Sequence, residues 1–199
     1  MHISEGILNA PLIVGGAALA AVGTVAGLRA IDPERIMTPA LLAATFFVAS
    51  LLHVPLGPGS VHLLLNGLMG LLLGWGCVPV IAVALLLQAI FFQFGGFTAL
   101  GANIVIIAGP ALLCGLLARP HLARPGRRME IAAFAAGAGA IALSGLLLAL
   151  VLISTDEQFL LTARLVLLAH LPVMLIEGLI TMVVVRFLAR VEPEMLGQR

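Results

Sequence analysis

HVPLGPGSVHLLLNGLMG, residues 53–70, is the stretch whose reading decides the fold. Its first half, PLGPGS at 55–60, carries two prolines and two glycines and is barred from helix. Ser60 is a good N-cap, so a helix is expected to start near Val61 and run to about 75. About 15 residues at ~1.5 Å each make a rod of ~22 Å. The chain is 62% hydrophobic and only 10% charged, which places it in a bilayer whose hydrocarbon core is ~30 Å thick. One end of this short helix, and the loop feeding it, should therefore lie below the membrane surface. Irregular backbone survives at that depth only where protein buries it or where it lines a cavity. A pocket is expected beside this loop.

Outward from that stretch, apolar runs at 8–28, 38–54, 79–93, 103–118, 129–153 and 160–190 alternate with polar or glycine-rich breaks. With the short helix they make seven expected spans in one all-α, polytopic membrane domain, 1–199. All ten basic residues are arginine. An outside N-terminus and inside C-terminus put Arg29, Arg35, Arg119, Arg124, Arg127, Arg128, Arg186, Arg190 and Arg199 inside and only Arg164 outside, as the positive-inside rule requires. The same orientation gathers the N-terminus and the loops at 55–60 and 94–102 on the outer side. No basic region precedes the first apolar run, so the start is read as mature sequence rather than a signal peptide. A net charge of +1 gives no reason to expect nucleic acid. Cys77 and Cys114 form no motif and read as small buried hydrophobes. Gly16 and Ala20, Ala17 and Ala21, and Gly23 and Gly27 are each four apart. Such spacing lets another helix approach closely in lipid, either one of this chain's own or a partner subunit.

The chemistry centres on Met1 and His2. The α-amine, the His2 backbone nitrogen and the His2 ring can close two fused chelate rings on one metal ion. His62, in the first turn of the expected short helix, faces the positive end of a helix dipole, which keeps an imidazole neutral and ready to ligate. Asn66, four residues on, is placed to orient that ring. Four nitrogens, three of them nearly coplanar, suit Ni(II), Cu(II) or low-spin Co(II) better than tetrahedral zinc. His53, Glu5, Ser60, Gln93 and Asn103 stand near the outer face and are candidates to support the ligands. Each also has an ordinary reading as a cap or helix-contact residue. His121 lies in the arginine loop and reads as solvated. His170 and Glu177 are buried-span candidates whose role the sequence leaves open, although an intramembrane carboxylate leans functional.

MHISEGIL at the start, HVPLGPGSVHLLLNGLMG at 53–70, FGGFTALGAN at 94–103 and AHLPVMLIEG at 169–178 resemble the CbiM/NikM family. These are the cobalt/nickel-binding S components of energy-coupling-factor (ECF) transporters. The resemblance covers nearly the whole chain. It implies capture of Ni2+ or Co2+ from outside by the N-terminal amine, His2 and His62, in a prokaryotic plasma membrane. It further implies a transmembrane coupling (T) subunit, a pair of ATPase (A) subunits and, in some relatives, a small auxiliary membrane protein, here expected on another chain. The small-residue face of the first span, Gly16 to Gly27, is then a candidate docking surface. No Walker motif is present, so ATP is expected to be used by partners, and the protein is read as a transport subunit rather than an enzyme. An intramembrane zinc hydrolase is the competing class, but it needs a spacing such as His-Glu-x-x-His that the chain lacks. A stand-alone metal permease is the other, separable by co-purification with an ATPase.

Overall fold

The structure, a computed structural model of the protein, describes residues 2–51, 53–56 and 59–197. Among these, seven α-helices carry the fold. They are α1 (Ala10–Ala30), α2 (Met37–Ala49), α3 (Asn66–Leu73), α4 (Cys77–Phe92), α5 (Leu100–Ala118), α6 (Arg127–Thr155) and α7 (Leu160–Val191). Between α2 and α3 lies an antiparallel hairpin, β1 (His53–Leu56) and β2 (Gly59–His62), in which His53 pairs with His62. The first helix starts where Asn9 accepts from the Leu12 N–H (3.2 Å), with Pro11 in the opening turn, a standard N-cap arrangement.

Five apolar stretches are long enough to cross a membrane: Ala10–Ala30, Asn66–Phe92, Leu100–His121, Arg127–Thr155 and Glu157–Val191. That is fewer than the seven expected. The difference lies in α2, with 13 residues, and in Asn66–Phe92, which is one apolar stretch but two helices. Gly74 breaks it: φ 55° and ψ −126° end α3, and a three-residue turn leads into α4. α2 stops at Ala49 rather than 54, where Ser50 turns its hydroxyl onto the Phe47 carbonyl (2.6 Å) and receives the Gln88 amide from α4 (2.7 Å).

The short helix is also shorter and later than expected. It starts at Asn66, not Val61, so Ser60 is not its N-cap and His62 is not in its first turn. Residues from Asn66 to Leu71 are all buried. α3 is thus a central peg, gripped by notches of missing side chains. A Cβ on Gly67 would strike the α6 backbone at Ala136–Gly137, and one on Gly70 would overlap the Ala111 carbonyl of α5. Close backbone approach of this kind is how helices associate where lipid removes the hydrophobic drive.

The same close approach occurs along the first span. Gly16 and Ala17 pack on Ala102 and Gly101 of α5, Gly23 meets Val78, Gly27 meets Trp75 and Pro79, and Ala20 is buried. The chain's own helices therefore take part of this face: Ala20 and Gly27 are buried, Gly16 and Gly23 half-buried, and Ala17 and Ala21 exposed.

Candidate metal centre

The N-terminal segment precedes any helix, so its main chain needs partners from elsewhere. Asn103, early in α5 and buried, supplies both. The Ile3 N–H donates to Asn103 Oδ1 (2.9 Å), and Asn103 Nδ2 donates to the Ile3 carbonyl (3.1 Å). The Ile3 side chain is itself buried, 1% exposed, which anchors the residue from its other side. The loop after α4 closes over this segment. Gln93, exposed and left-handed (φ 57°), turns the chain at the end of α4. Gly95 and Gly96 follow with φ of 78° and 75°, a region L side chains avoid. A Cβ on Gly95 would press Asn103 Nδ2, and one on Gly96 would press the Glu5 carboxylate. Glu5 Oε1 in turn accepts from the Thr98 N–H (3.2 Å). Glu5 and Asn103 therefore hold the segment that carries His2.

The result is a stack of rings. His2 lies against His62 with centroids 5.0 Å apart and planes 20° from parallel, and Phe94 stacks on His2 at 6.1 Å and 18°. His2 Nε2 is buried with no hydrogen-bond partner. Burial, then the charge of the α-amine and the nearness of His62, hold the His2 ring well below its ordinary pKa of 6.5, so it stays neutral. His62 is buried, 5% exposed, with Nδ1 3.3 Å from the Leu63 carbonyl. With metal–nitrogen bonds of about 2 Å, two imidazoles on one ion hold their ring centres roughly 4.5–6.5 Å apart, a range that includes this pair; because imidazole lone pairs lie in the ring plane, stacked rings share one ion only after one of them turns. Among the described residues no three His, Cys, Asp or Glu side chains cluster for a metal. An ion at this pair would thus draw further donors from main-chain nitrogen or from outside the described set.

Other sequence candidates land differently. Met1 lies outside the described residues, as do the side chains of His53 and Ser60. Asn66 does not orient His62. It opens α3, and its amide donates to the Ile107 carbonyl (3.1 Å) and Ser144 Oγ (3.2 Å), tying α3 to α5 and α6. His170 packs beside Gly145 of α6, with Nδ1 bonded one turn back to the Val166 carbonyl. Glu177 touches neither His170 nor His62 in the described hydrogen bonds. Its carboxylate receives the main-chain N–H groups of Leu64 and Leu65. Phe94 escaped the sequence reading altogether. The Gly-Gly pair just after it was the available signal, since it marks a place where backbone must approach something closely.

Residues 2–195 match the family model CbiM, described as the cobalt uptake substrate-specific transmembrane region. A Haemophilus influenzae protein whose name assigns it to metal transport is 40% identical over 100% of this chain and 98% of its own length. The fused nickel transport protein NikMN of Rhodobacter capsulatus is 36% identical over 59% of this chain and 36% of its own. The crystal structure of a truncated transition metal transporter superposes with a TM-score of 0.80 at 26% identity, covering 96% of this chain and 99% of that one. Helical architecture, apolar spans and these matches together define a transmembrane component of transition-metal uptake. The chain belongs to the CbiM family of cobalt and nickel transport proteins.

Proposed function

We propose that this protein is the substrate-binding S component of an ECF-type transporter, taking Ni2+ or Co2+ from the outer side of a prokaryotic plasma membrane. The ion is held by four nitrogens: the Met1 amine, the His2 main-chain nitrogen, the His2 ring and the His62 ring. The observation that carries the reading is the facing pair of His2 and His62, brought together from 60 residues apart in sequence and held by Asn103, Glu5 and the 93–98 loop. Imidazole and amine donors suit late first-row divalent ions, and a neutral His2 ring needs no deprotonation to bind.

In this reading the chain passes the membrane seven times with its N-terminus outside. The arginine distribution supports it, because the ion site stands at the opposite end of the bundle from the arginine-rich 119–128 segment. Energy comes from separate T and A subunits; a relative in which a nickel transport protein is fused to another component fits a multi-part machine. The ion, once bound, sits on main-chain atoms that a small shift of the N-terminal segment would disassemble, which gives a route to release.

The test is a titration of purified protein with Ni2+ and Co2+, beside His62→Ala. Tight binding by the parent chain and a loss of ~100-fold or more in the variant is the expected result, since one of four ligands goes. Equal affinity in both would reject the site. Co-purification with an ATPase from the native membrane tests the assembly.

A further inference from the structure

α3 begins in an unusual way. Its first N–H groups need acceptors, and a local Ser, Thr, Asp or Asn ordinarily supplies one. Here the N-cap residue is Leu65, left-handed at φ 55° and ψ 21°, with no side chain able to cap. The two N–H groups just ahead of the helix, those of Leu64 and Leu65, are held from the middle of α7. Glu177 is 0% exposed, and both its oxygens are engaged: Oε1 accepts from Leu64 N–H and from Leu65 N–H (2.9 Å), and Oε2 from Leu65 N–H (3.0 Å). Between this anchor and the end of β2 there is one residue, Leu63. The residue that ends β2 is His62.

The far end of α3 is tied in the same manner, from a different helix. Arg119, at the end of α5, donates to the Leu72 carbonyl (3.3 Å) and lies against Gly74. An acid at the N-terminus and a base at the C-terminus match the helix dipole. Both are borrowed from other helices, so the position of α3, and of the strand feeding it, is set by α5 and α7 rather than by its own sequence.

We propose that Glu177 is a positioning residue for the metal ligand His62. Its carboxylate fixes the two N–H groups that follow the ligand, and so sets where the His62 ring stands relative to His2. The inference rests on the reading of His2 and His62 as the ion site. A carboxylate accepts at both oxygens: Oε1 takes the Leu64 and Leu65 N–H groups, and Oε2 takes the Leu65 N–H as well. Glutamine is nearly the same size, but its NH2 group would point a donor at N–H groups and leave one oxygen position unfilled. In ligand shells of this kind, removing a group that orients a ligand typically lowers metal affinity 10- to 100-fold without removing any donor.

The experiment compares Ni2+ titrations and Ni2+ absorption spectra of the parent chain, Glu177→Gln and His62→Ala, all untagged at the N-terminus. Glu177→Gln should remain folded, bind Ni2+ 10- to 100-fold more weakly, and shift the absorption band toward that of His62→Ala. Parent affinity and parent spectrum in Glu177→Gln overturn the inference, and so does a variant that only melts earlier while its folded fraction binds as the parent does. Should Glu177→Gln fail to fold, Glu177→Asp keeps both oxygens on a shorter arm. A displaced band in Glu177→Asp supports the role, and an unchanged band and affinity overturn it. A parent chain that binds no Ni2+, or a His62→Ala variant that binds as well as the parent, overturns the site reading itself, an outcome distinct from either Glu177 result.

Discussion

Asn103 does with one side chain what a neighbouring β-strand does with two main-chain groups: it accepts from and donates to the same residue, Ile3. Removing it leaves a buried N–H and a buried C=O unpaired, each costing about 1–3 kcal/mol. The bundle does not depend on that bond, but the N-terminal segment does. Asn103→Ala should therefore keep its helical circular dichroism while Ni2+ affinity falls by about tenfold or more. Unchanged affinity would show that Ile3 burial alone holds the segment. At His2 the depressed ring pKa has two consequences. In the unfolded chain the ring takes up a proton near pH 6.5 that the folded chain refuses, so the apo protein should lose stability as pH falls through that value, measured as a falling melting temperature. Metal affinity should fall over a higher range, because the protons to be displaced are those of the amine, with an ordinary pKa of ~7.7–8.0, and of the His2 amide. A Ni2+ affinity flat between pH 8 and 6 would contradict amine ligation. Asn103 was legible as a polar group at the right end of a span. Its bidentate grip on Ile3 was not, because nothing local to either residue announces a partner 100 positions away.

At the scale of elements, α3 is where sequence and structure part. Apart from the end of α2, which comes five residues early at Ala49, helix boundaries elsewhere fall within a few residues of the expected ones, because apolar runs there end at glycine, proline or charge. α3 starts after a left-handed leucine, which local preference disfavours, and Glu177 of α7 holds the N–H groups of that leucine and of Leu64. A reading that looks for caps nearby chooses Ser60 and places the helix five residues too early. The glycine spacing in α1 was legible as a contact face, but the owner of the opposite face was not, since small residues serve internal and external packing alike. The notches around α3 make a direct prediction. Gly70→Ala places a methyl on the Ala111 carbonyl and should destabilise the folded protein by about 1–3 kcal/mol or more, read as a lowered melting temperature in detergent. Gly109→Ala on the same neighbouring helix has open space at its Cβ and should leave the melting temperature near that of the parent. Equal melting of all three proteins would mean that α3 is not held by these notches.

For the molecule as a whole, the candidate ion site and the arginine contacts lie at opposite ends of an apolar bundle whose interior holds further polar groups such as Glu177, Asn66 and Gln88. One end carries His2, Glu5, His62 and the 93–98 loop; the other carries Arg119 and the Arg186–Glu130 pair (3.4 Å) that joins the start of α6 to the end of α7. Composition alone made the membrane class readable, and the arginine count gave an orientation to test. With Gln93→Cys and Arg124→Cys in intact cells, a membrane-impermeant maleimide should label the first from outside and the second only after permeabilisation. The reverse pattern would invert the topology. What joins the scales is the claim that the first atom of the chain is a metal ligand. The most direct test places one residue before Met1, confirms both N-termini by intact mass, and titrates each protein with Ni2+ while recording its absorption spectrum. The extended protein should fold and melt as the parent does but lose affinity by orders of magnitude, with the parent's Ni2+ band gone. Equal affinity and the same band in the two proteins would contradict it.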